Sequence, residues 1–436
     1  MPENTMDKIV ALCKRRGFIF PGSEIYGGMA STYSYGPLGA ELKNNVKQLW
    51  WKYFVQDRED MVGLDGGILL HPKVWEASGH VKNFKDPLVE CKKCHHRFRP
   101  DKLEDETKCP DCGGPLTEAR MFSGMFKTII GPVAQEGIEA YLRPETAQAM
   151  FVDFKNILDS TNKKIPFGIG QIGKAFRNEI TTGNFIFRQI GFEQMEIEYF
   201  IAPDGDWNKT FEEWVSYIYG YADLLGLDKK DFYSHEIPDE ERAFYSKRTI
   251  DIEYNFPFGR DELWAIAYRT DYDLVRHQSA SGKSLEYFDD QAKKRYIPHV
   301  IEPTFGVDRT VLALLAKAYT EEALEGGETR TVLKFDPKVA PYKIAVFPLL
   351  ANKEKLIGKA REVYESLKEE HLCFWDDRGN IGKRYRYQDE IGTPYCVTVD
   401  FDSLENDDVT VRDRDSMKQE RVKIGELKNY FENKLK

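Results

Sequence analysis

The chain has 436 residues, 13% of them aromatic, and a formal net charge of -10, which leaves room for roughly two to four domains with sizeable cores. The acidic balance argues against broad non-specific DNA binding but not against a specific RNA held by local basic patches. No run approaches the ~18 apolar residues of a membrane helix.

The N-terminal stretch MPENTMDKIVALCKRRG has no long apolar core of the kind a secretory signal carries, and reads as a short amphipathic helix. Four of the seven cysteines cluster, while Cys13, Cys373 and Cys396 are scattered. This is no disulfide framework; it fits a reducing compartment, and a cytoplasmic protein is expected.

The next element, PLGAELKNNVKQLWWKYFVQ, predicts a long helix. Pro37 opens it, where a missing N–H costs nothing. Leu42, Val46, Leu49, Trp50 and Tyr53 form its apolar stripe, suited to a core or a subunit interface. In CKKCHHRFRPDKLEDETKCPDCGG, Cys91 and Cys94 are separated from Cys109 and Cys112 by fourteen residues. Two Cys-x-x-Cys pairs at this spacing predict a zinc ribbon whose four thiolates close a structural site. The insertion, over 87–120, is too small for a core of its own, so the metal would supply its folding energy. His95 and His96 read as solvated loop residues.

YLRPETAQAMF sets Arg143 and Glu145 before a helix start, where a carboxylate also suits the helix dipole. Residues 175–200, AFRNEITTGNFIFRQIGFEQMEIEYF, predict a hairpin turning at 181–184. Its strands would carry Arg177, Glu179, Arg188, Glu193, Glu196 and Glu198, either as a solvated face or as an aromatic-floored site for a planar anion such as a nucleotide. DELWAIAYRTDYDL places Glu262 at the head of an apolar run. EPTFGVDRTVLALLAKAY runs from Glu302 through Gly306 into a helix with Arg309 in its first turn. A cation is disfavoured there unless a ligand anion, or an ion pair with Asp308 or Glu302, compensates.

A linker is expected over 325–341. Beyond it, alternating strand and helix patterns predict an α/β domain over 338–436. Arg378, Lys383, Arg384 and Arg386, interleaved with Tyr385 and Tyr387, form its densest basic stretch and suit phosphate contacts and base stacking. No P-loop, Rossmann or G-x-S-x-G fingerprint occurs.

FRNE opening a hairpin that ends in FEQMEIEYF, the helix led by Pro37, and EPTFGVDR running into a helix resemble the three motifs of class II aminoacyl-tRNA synthetases. RPETAQ, FRNEIT and FEQMEIE together are similar to the homodimeric glycyl-tRNA synthetase family, and the C-terminal region resembles its anticodon-binding domain. The resemblance implies an α+β fold: a class II antiparallel sheet flanked by helices over 1–330, with the zinc ribbon inserted. It implies a homodimer that uses ATP with Mg²⁺, glycine and tRNA, makes glycyl-adenylate, and transfers glycine to the tRNA 3′ end, with no membrane partner.

By the same resemblance, Arg177, Glu179 and Arg309 are catalytic: Arg177 on the α-phosphate, Arg188 and Arg309 on the γ-phosphate. Phe192 would stack on adenine and Glu262 would sit by Mg²⁺. Asn178, Phe187, Gln189, Ile190, Gly191, Leu263, Gly306, Val307 and Asp308 complete the implied ATP contacts. Arg99, Glu145, Phe192, Glu193, Gln194, Met195, Glu196, Glu302, Pro303, Thr304, Phe305 and Gly306 are the implied glycine site. Three positions depart from the family pattern. Thr182 stands where Pro is usual, Gln189-Ile190-Gly191 where an Arg-Glu pair usually precedes the Phe, and Thr304 where Ser is usual.

Overall fold

The computed structural model describes residues 5–100, 103–133, 135–180 and 183–435; Thr182 lies outside them. Among the described residues the central sheet has seven strands, in the order Phe232–Glu236, Arg248–Phe256, Gly259–Thr270, His299–Gly306, Gly191–Ile201, Phe167–Phe176 and Met61–Leu64. Neighbours are antiparallel, except that the Met61–Leu64 strand runs parallel to its partner.

The strand Gly191–Ile201, flanked by His299–Gly306 and Phe167–Phe176, is buried on both faces from Gln194 onward, and the two faces differ in chemistry. Met195, Ile197, Tyr199 and Ile201 enter the main core beside Leu42, Val46 and Trp50 of the helix Pro37–Trp51. Successive strand residues point to opposite sides, so Gln194, Glu196 and Glu198 face the other way and are buried as well. Pro37 sits in the first turn of its helix as expected, and the helical path continues through a wider turn over Lys52–Gln56.

Two expectations need correction. Residues 181 and 182 of the expected hairpin turn lie outside the described residues, and Arg177, Glu179 and Arg188 are not in the strands. The first strand stops at Phe176, which pairs with Gly191, and the described residues 177–180 and 183–190 lie outside both strands, with Arg177 N–H donating to Ile190 O at 2.9 Å. Asn184 and Phe185, both with φ of 56°, take the left-handed conformation that no strand continues through. The expected linker over 325–341 also contains structure. Thr329–Leu333 pairs back on Tyr319–Ala323, with Gly326 and Gly327 supplying positive φ at the turn.

In the C-terminal region, Ile344–Pro348, Cys373–Trp375 and Tyr395–Val399 form a parallel core, with the helices Glu354–Leu367 and Ile381–Ile391 between them. Asp408–Asp413 and Gln419–Lys423 extend that sheet antiparallel. A buried ion triad ties this region to the first. Asp389 accepts from Arg330 Nε at 2.8 Å and from both Nη atoms of Arg412 at 2.8 and 3.1 Å. Arg330 also donates to the Arg414 carbonyl at 2.5 Å, and Arg16 of the helix Thr5–Arg16 pairs with Glu390 at 2.6 Å.

Asp389 is 2% exposed. Removing it leaves the buried Arg412 guanidinium without a carboxylate and Arg330 with Glu322 alone, which costs about 3–5 kcal/mol. Asp389→Ala is therefore expected to lower the unfolding midpoint in urea, with the C-terminal region melting first; a wild-type midpoint counts against the triad as a structural lock.

Candidate active site

A cavity of about 470 Å³ lies over the polar face of the central sheet. Its walls include Glu145, Arg177, Glu179, Phe187, Arg188, Gln189, Phe192, Gln194, Glu196, Glu262, Leu263, Glu302, Thr304, Gly306 and Arg309. Residues separated by more than 160 positions thus meet in one space.

One end of the cavity is cationic and aromatic. The Arg177 guanidinium donates from Nε to Pro144 O at 3.0 Å and lies 5.5 Å over the Phe84 ring and 5.3 Å over the Phe192 ring. Arg309 sits 4.3 Å over Phe187 and pairs with Glu262 at 3.1 Å. Its partner is therefore neither Asp308 nor Glu302. Arg188 and Glu179 line the cavity, and their side chains have no hydrogen bond or ion pair among the described residues.

The other end is acidic and closed. Among the described residues, Glu145, Glu196, Glu198, Asp273 and Glu302 gather around one buried guanidinium, that of Arg269. Arg269 donates to Asp273 at 2.8 and 3.0 Å and to Glu302 at 2.6 Å, and lies 3.8 Å over the Tyr245 ring. Glu196 accepts from the hydroxyls of Thr146 and Thr304, the latter at 3.1 Å. Gln148 donates to Glu145 at 3.0 Å and to Asp273 at 2.8 Å. His80 Nε2 stands 3.2 Å from the second Glu145 oxygen.

One cation cannot compensate this many carboxyls, and the titrations divide accordingly. Burial, then Arg269 in opposition and Glu196 in support, leaves the Glu302 carboxyl well above its ordinary range. Burial and the neighbouring Glu302 do the same to Glu198, whose two oxygens have no hydrogen-bond partner. Burial and Glu145 raise Glu196. Burial also works against an ionised Glu145, but His80, Arg269 and Gln148 outweigh it and hold this carboxyl far below its usual range. Glu196, Glu198 and Glu302 are thus biased toward the protonated form and Glu145 toward the ionised one, as a coupled set.

Several implied contacts fall elsewhere. Met195 and Phe305 point into the apolar core, because adjacent residues of a strand face opposite sides; Val307, the first residue of the helix Val307–Ala318, is in the same core, and Pro303 is buried and is not among the cavity walls. Glu193 lines the rim, but its carboxylate is held by Lys43 at 3.1 Å and Lys47 at 3.2 Å. Asp308 serves as an anchor: it accepts from Tyr35 at 2.5 Å, Lys43 at 2.8 Å and the Glu193 amide at 2.8 Å. Asn178 and Ile190 contribute backbone to the connection and Gly191 opens the next strand; none of the three is among the cavity walls. Arg99 pairs with Asp86 at 3.2 Å and is likewise not among them. Arg143 is spanned beneath the sheet, donating to Lys174 O at 2.6 Å and Gly66 O at 2.8 Å. A Cβ on Gly173 would come within 2.1 Å of its Nη2, so that crossing needs glycine.

Sequence reasoning missed Arg269, Asp273, Tyr245, His80, Phe84 and Asp251. Asp251 lines the cavity with Glu262, and burial with the Glu262 charge pushes its carboxyl up to about 7.

At the ribbon, the four sulfurs of Cys91, Cys94, Cys109 and Cys112 lie within 4.8 Å of one another. Cys91–Cys112 and Cys94–Cys109 are 3.5 and 3.6 Å apart. A tetrahedron with metal–sulfur bonds of about 2.3 Å has edges of about 3.8 Å, so the thiols present fit a metal ion. His95 and His96 are exposed outside this set.

In the C-terminal region a second cavity, of about 510 Å³, is lined by Arg16, Arg378, Lys383, Arg384, Arg386 and Tyr387. Arg384 is a structural member: it is 1% exposed and donates to Pro348 O at 2.6 Å.

Family models place residues 126–318 with the tRNA synthetase class II core domain (G, H, P, S and T) and residues 343–434 with the anticodon binding domain. The sheet, the cavity and these matches define a class II aminoacyl-tRNA synthetase. Across its whole length the chain is 52% identical to the glycine--tRNA ligase of Lachnospira eligens, covering 100% of that protein. It is 52% identical to those of Clostridium acetobutylicum and Acetivibrio thermocellus, each covered to 99%. The chain belongs to the glycine--tRNA ligase family.

The Asp251 carboxyl gives a pH test. Its folded pKa is raised, so its contribution to stability is full below about pH 4 and is lost as pH rises through 7. Asp251→Asn removes that loss. In metal-free buffer the variant is expected to match wild type at pH 4 and to gain on it in urea midpoint up to pH 8; a constant difference contradicts the assignment.

Proposed function

We propose that the chain activates glycine with ATP to form glycyl-adenylate and transfers the glycyl group to the 3′ end of its tRNA. The observation that carries this reading is the juxtaposition at Pro144-Glu145. The Arg177 guanidinium is bonded to the Pro144 carbonyl, and the next residue heads the acidic cluster. A group suited to phosphate and a group suited to an ammonium therefore adjoin within one cavity.

In this reading Glu145, Glu196 and Glu302 take the glycine ammonium. A cation entering the cluster supplies the charge that Arg269 alone cannot, and draws the raised carboxyls toward ionisation. Thr304, bonded to Glu196 at 3.1 Å, sets its methyl beside the position an alanine side chain would need, and a clash there rejects a larger substrate. The glycine carboxylate attacks the α-phosphorus and pyrophosphate leaves. Arg177 stabilises the charge that develops, and Arg188 and Arg309 hold the terminal phosphate. Phe192 backs the adenine. A ribose hydroxyl of the tRNA end then attacks the carbonyl and AMP leaves. Glu262 and Asp251 would hold the Mg²⁺ carried by ATP, whose charge screens the phosphates.

The body over 1–330 is assigned to catalysis, and the unit over 338–436 to the anticodon, with Arg378, Lys383 and Arg386 on phosphates. We assign Zn²⁺ to the four cysteines and a homodimer to the assembly. Among the described residues no helix is long and apolar enough to cross a membrane, and the reaction belongs in the cytoplasm.

Glycine-dependent exchange of pyrophosphate into ATP, measured across the twenty amino acids, tests the reading; exchange with another amino acid and not glycine overturns it. Arg177→Ala should lower the exchange rate by about 10²–10³-fold. Glu196→Gln should raise the glycine KM by about tenfold or more with the ATP KM unchanged. Purified protein should carry one zinc per chain by elemental analysis. Cys109→Ser should lose it and become open to proteolysis in the ribbon; full metal content in that variant contradicts the four-thiolate site.

A further inference from the structure

The segment at residues 78–84 contacts one wall residue at each end of the cavity, Glu145 and Arg177. His80 is 2% exposed, so water does not serve it. The depressed Glu145 carboxylate only accepts hydrogen bonds, so His80 Nε2 must donate across the 3.2 Å contact. The ring is oriented from behind by Ser78 Oγ, 2.8 Å from Nδ1, and by Trp75, which meets it edge-on at 5.5 Å. With Gln148 on the other oxygen, Glu145 is clamped at both oxygens and its remaining lone pairs are left for a ligand.

One helical turn later the Phe84 amide donates to His80 O at 2.8 Å. The Phe84 ring packs on the small cluster of Trp75, Met125 and Tyr141 and stands under Arg177. Its carbonyl accepts from Gly124, whose own carbonyl accepts from Asn178, the residue after Arg177, at 2.8 Å. Gly124 leaves the space this needs, since a Cβ there would come 2.6 Å from the Phe84 ring. The same short turn thus braces a carboxylate of the acidic end and the guanidinium of the cationic end.

We propose that residues 78–84 are a positioning brace for adenylate formation, in which His80 fixes the Glu145 carboxylate and Phe84 backs the Arg177 guanidinium. The proposal rests on the reading of Glu145 as an ammonium-binding group. Neither residue touches the reacting atoms: His80 acts on substrate affinity through Glu145, and Phe84 acts on the chemical step through Arg177.

The test is glycine-dependent pyrophosphate exchange with separate KM values for glycine and ATP. His80→Leu removes the donor to a buried carboxylate and should raise the glycine KM by about tenfold or more, leaving the ATP KM unchanged. His80→Gln keeps an N–H of similar reach and should stay within about threefold of wild type. Should His80→Leu fail to fold, His80→Asn, whose amide is too short, takes its place with the same expectation. Phe84→Ala should lower kcat by about tenfold at unchanged glycine KM, with Phe84→Tyr close to wild type. A wild-type glycine KM in the donorless variant, or equal rises in both KM values, overturns the brace. Glu145→Gln separates the two ideas. If it leaves the glycine KM unmoved, the ammonium reading fails; if it raises that KM and His80→Leu does not, only the brace fails.

Discussion

Arg269 is outnumbered. It is the guanidinium around which five carboxyls of the described residues are buried, and it is fully engaged with Asp273 and Glu302. Burying this much potential negative charge is costly unless protons or cations compensate. The protein leaves the compensation incomplete at the cavity wall, where Glu145, Glu196 and Glu302 are exposed to an incoming ligand. An ammonium placed there would supply the opposing charge, as the proposed role of these three carboxyls requires.

The two-faced central sheet is what permits this. Its apolar face is secured by the helix Pro37–Trp51, with Val46 and Trp50 in the core. Lys43 of the same helix holds Glu193 and Asp308, and Lys47 holds Glu193, beside the start of the strand Gly191–Ile201. Asp308 in turn fixes the start of the helix Val307–Ala318 that presents Arg309. The rim carboxylates that resemble ligands are occupied in holding the frame, while the carboxyls deeper in the sheet are the ones left under-compensated. The anticodon side joins this frame through the helices Thr5–Arg16 and Ile381–Ile391, by way of Glu390 and the Asp389 triad.

Much of this was legible in the sequence. The cysteine spacing announced the thiolate cluster because two short turns suffice to build it. The C-terminal α/β unit followed from alternating strand and helix patterns, and the antiparallel sheet with Glu145, Arg177, Glu196 and Glu302 from motif resemblance. The errors have a common cause. A motif read as a continuous string ignores the period of two in a strand, so Met195 and Phe305 were drawn into a site that their neighbours line. Arg269, Asp273, His80 and Asp251 were illegible because each looks like an ordinary charge on its own element. Their meaning lies in contacts that span long stretches of chain, such as Arg269 to Glu302 or His80 to Glu145. Arg99 was the expected link between ribbon and cavity; the nearer one is Phe84, which immediately precedes the ribbon's first strand, Lys85–Glu90.

The central claim is that the acidic end is an ammonium site whose raised carboxyls lose protons when a cation enters. Calorimetry with a non-hydrolysable glycyl-adenylate analogue, at pH 6 in buffers of differing ionisation enthalpy, tests it most directly, because the ligand amine is then already protonated. Net proton release on binding is expected, with none for the acetyl analogue that lacks the amine, and with far weaker binding of that analogue. Equal affinity for the two ligands, or no proton release with the glycyl compound, would contradict the account.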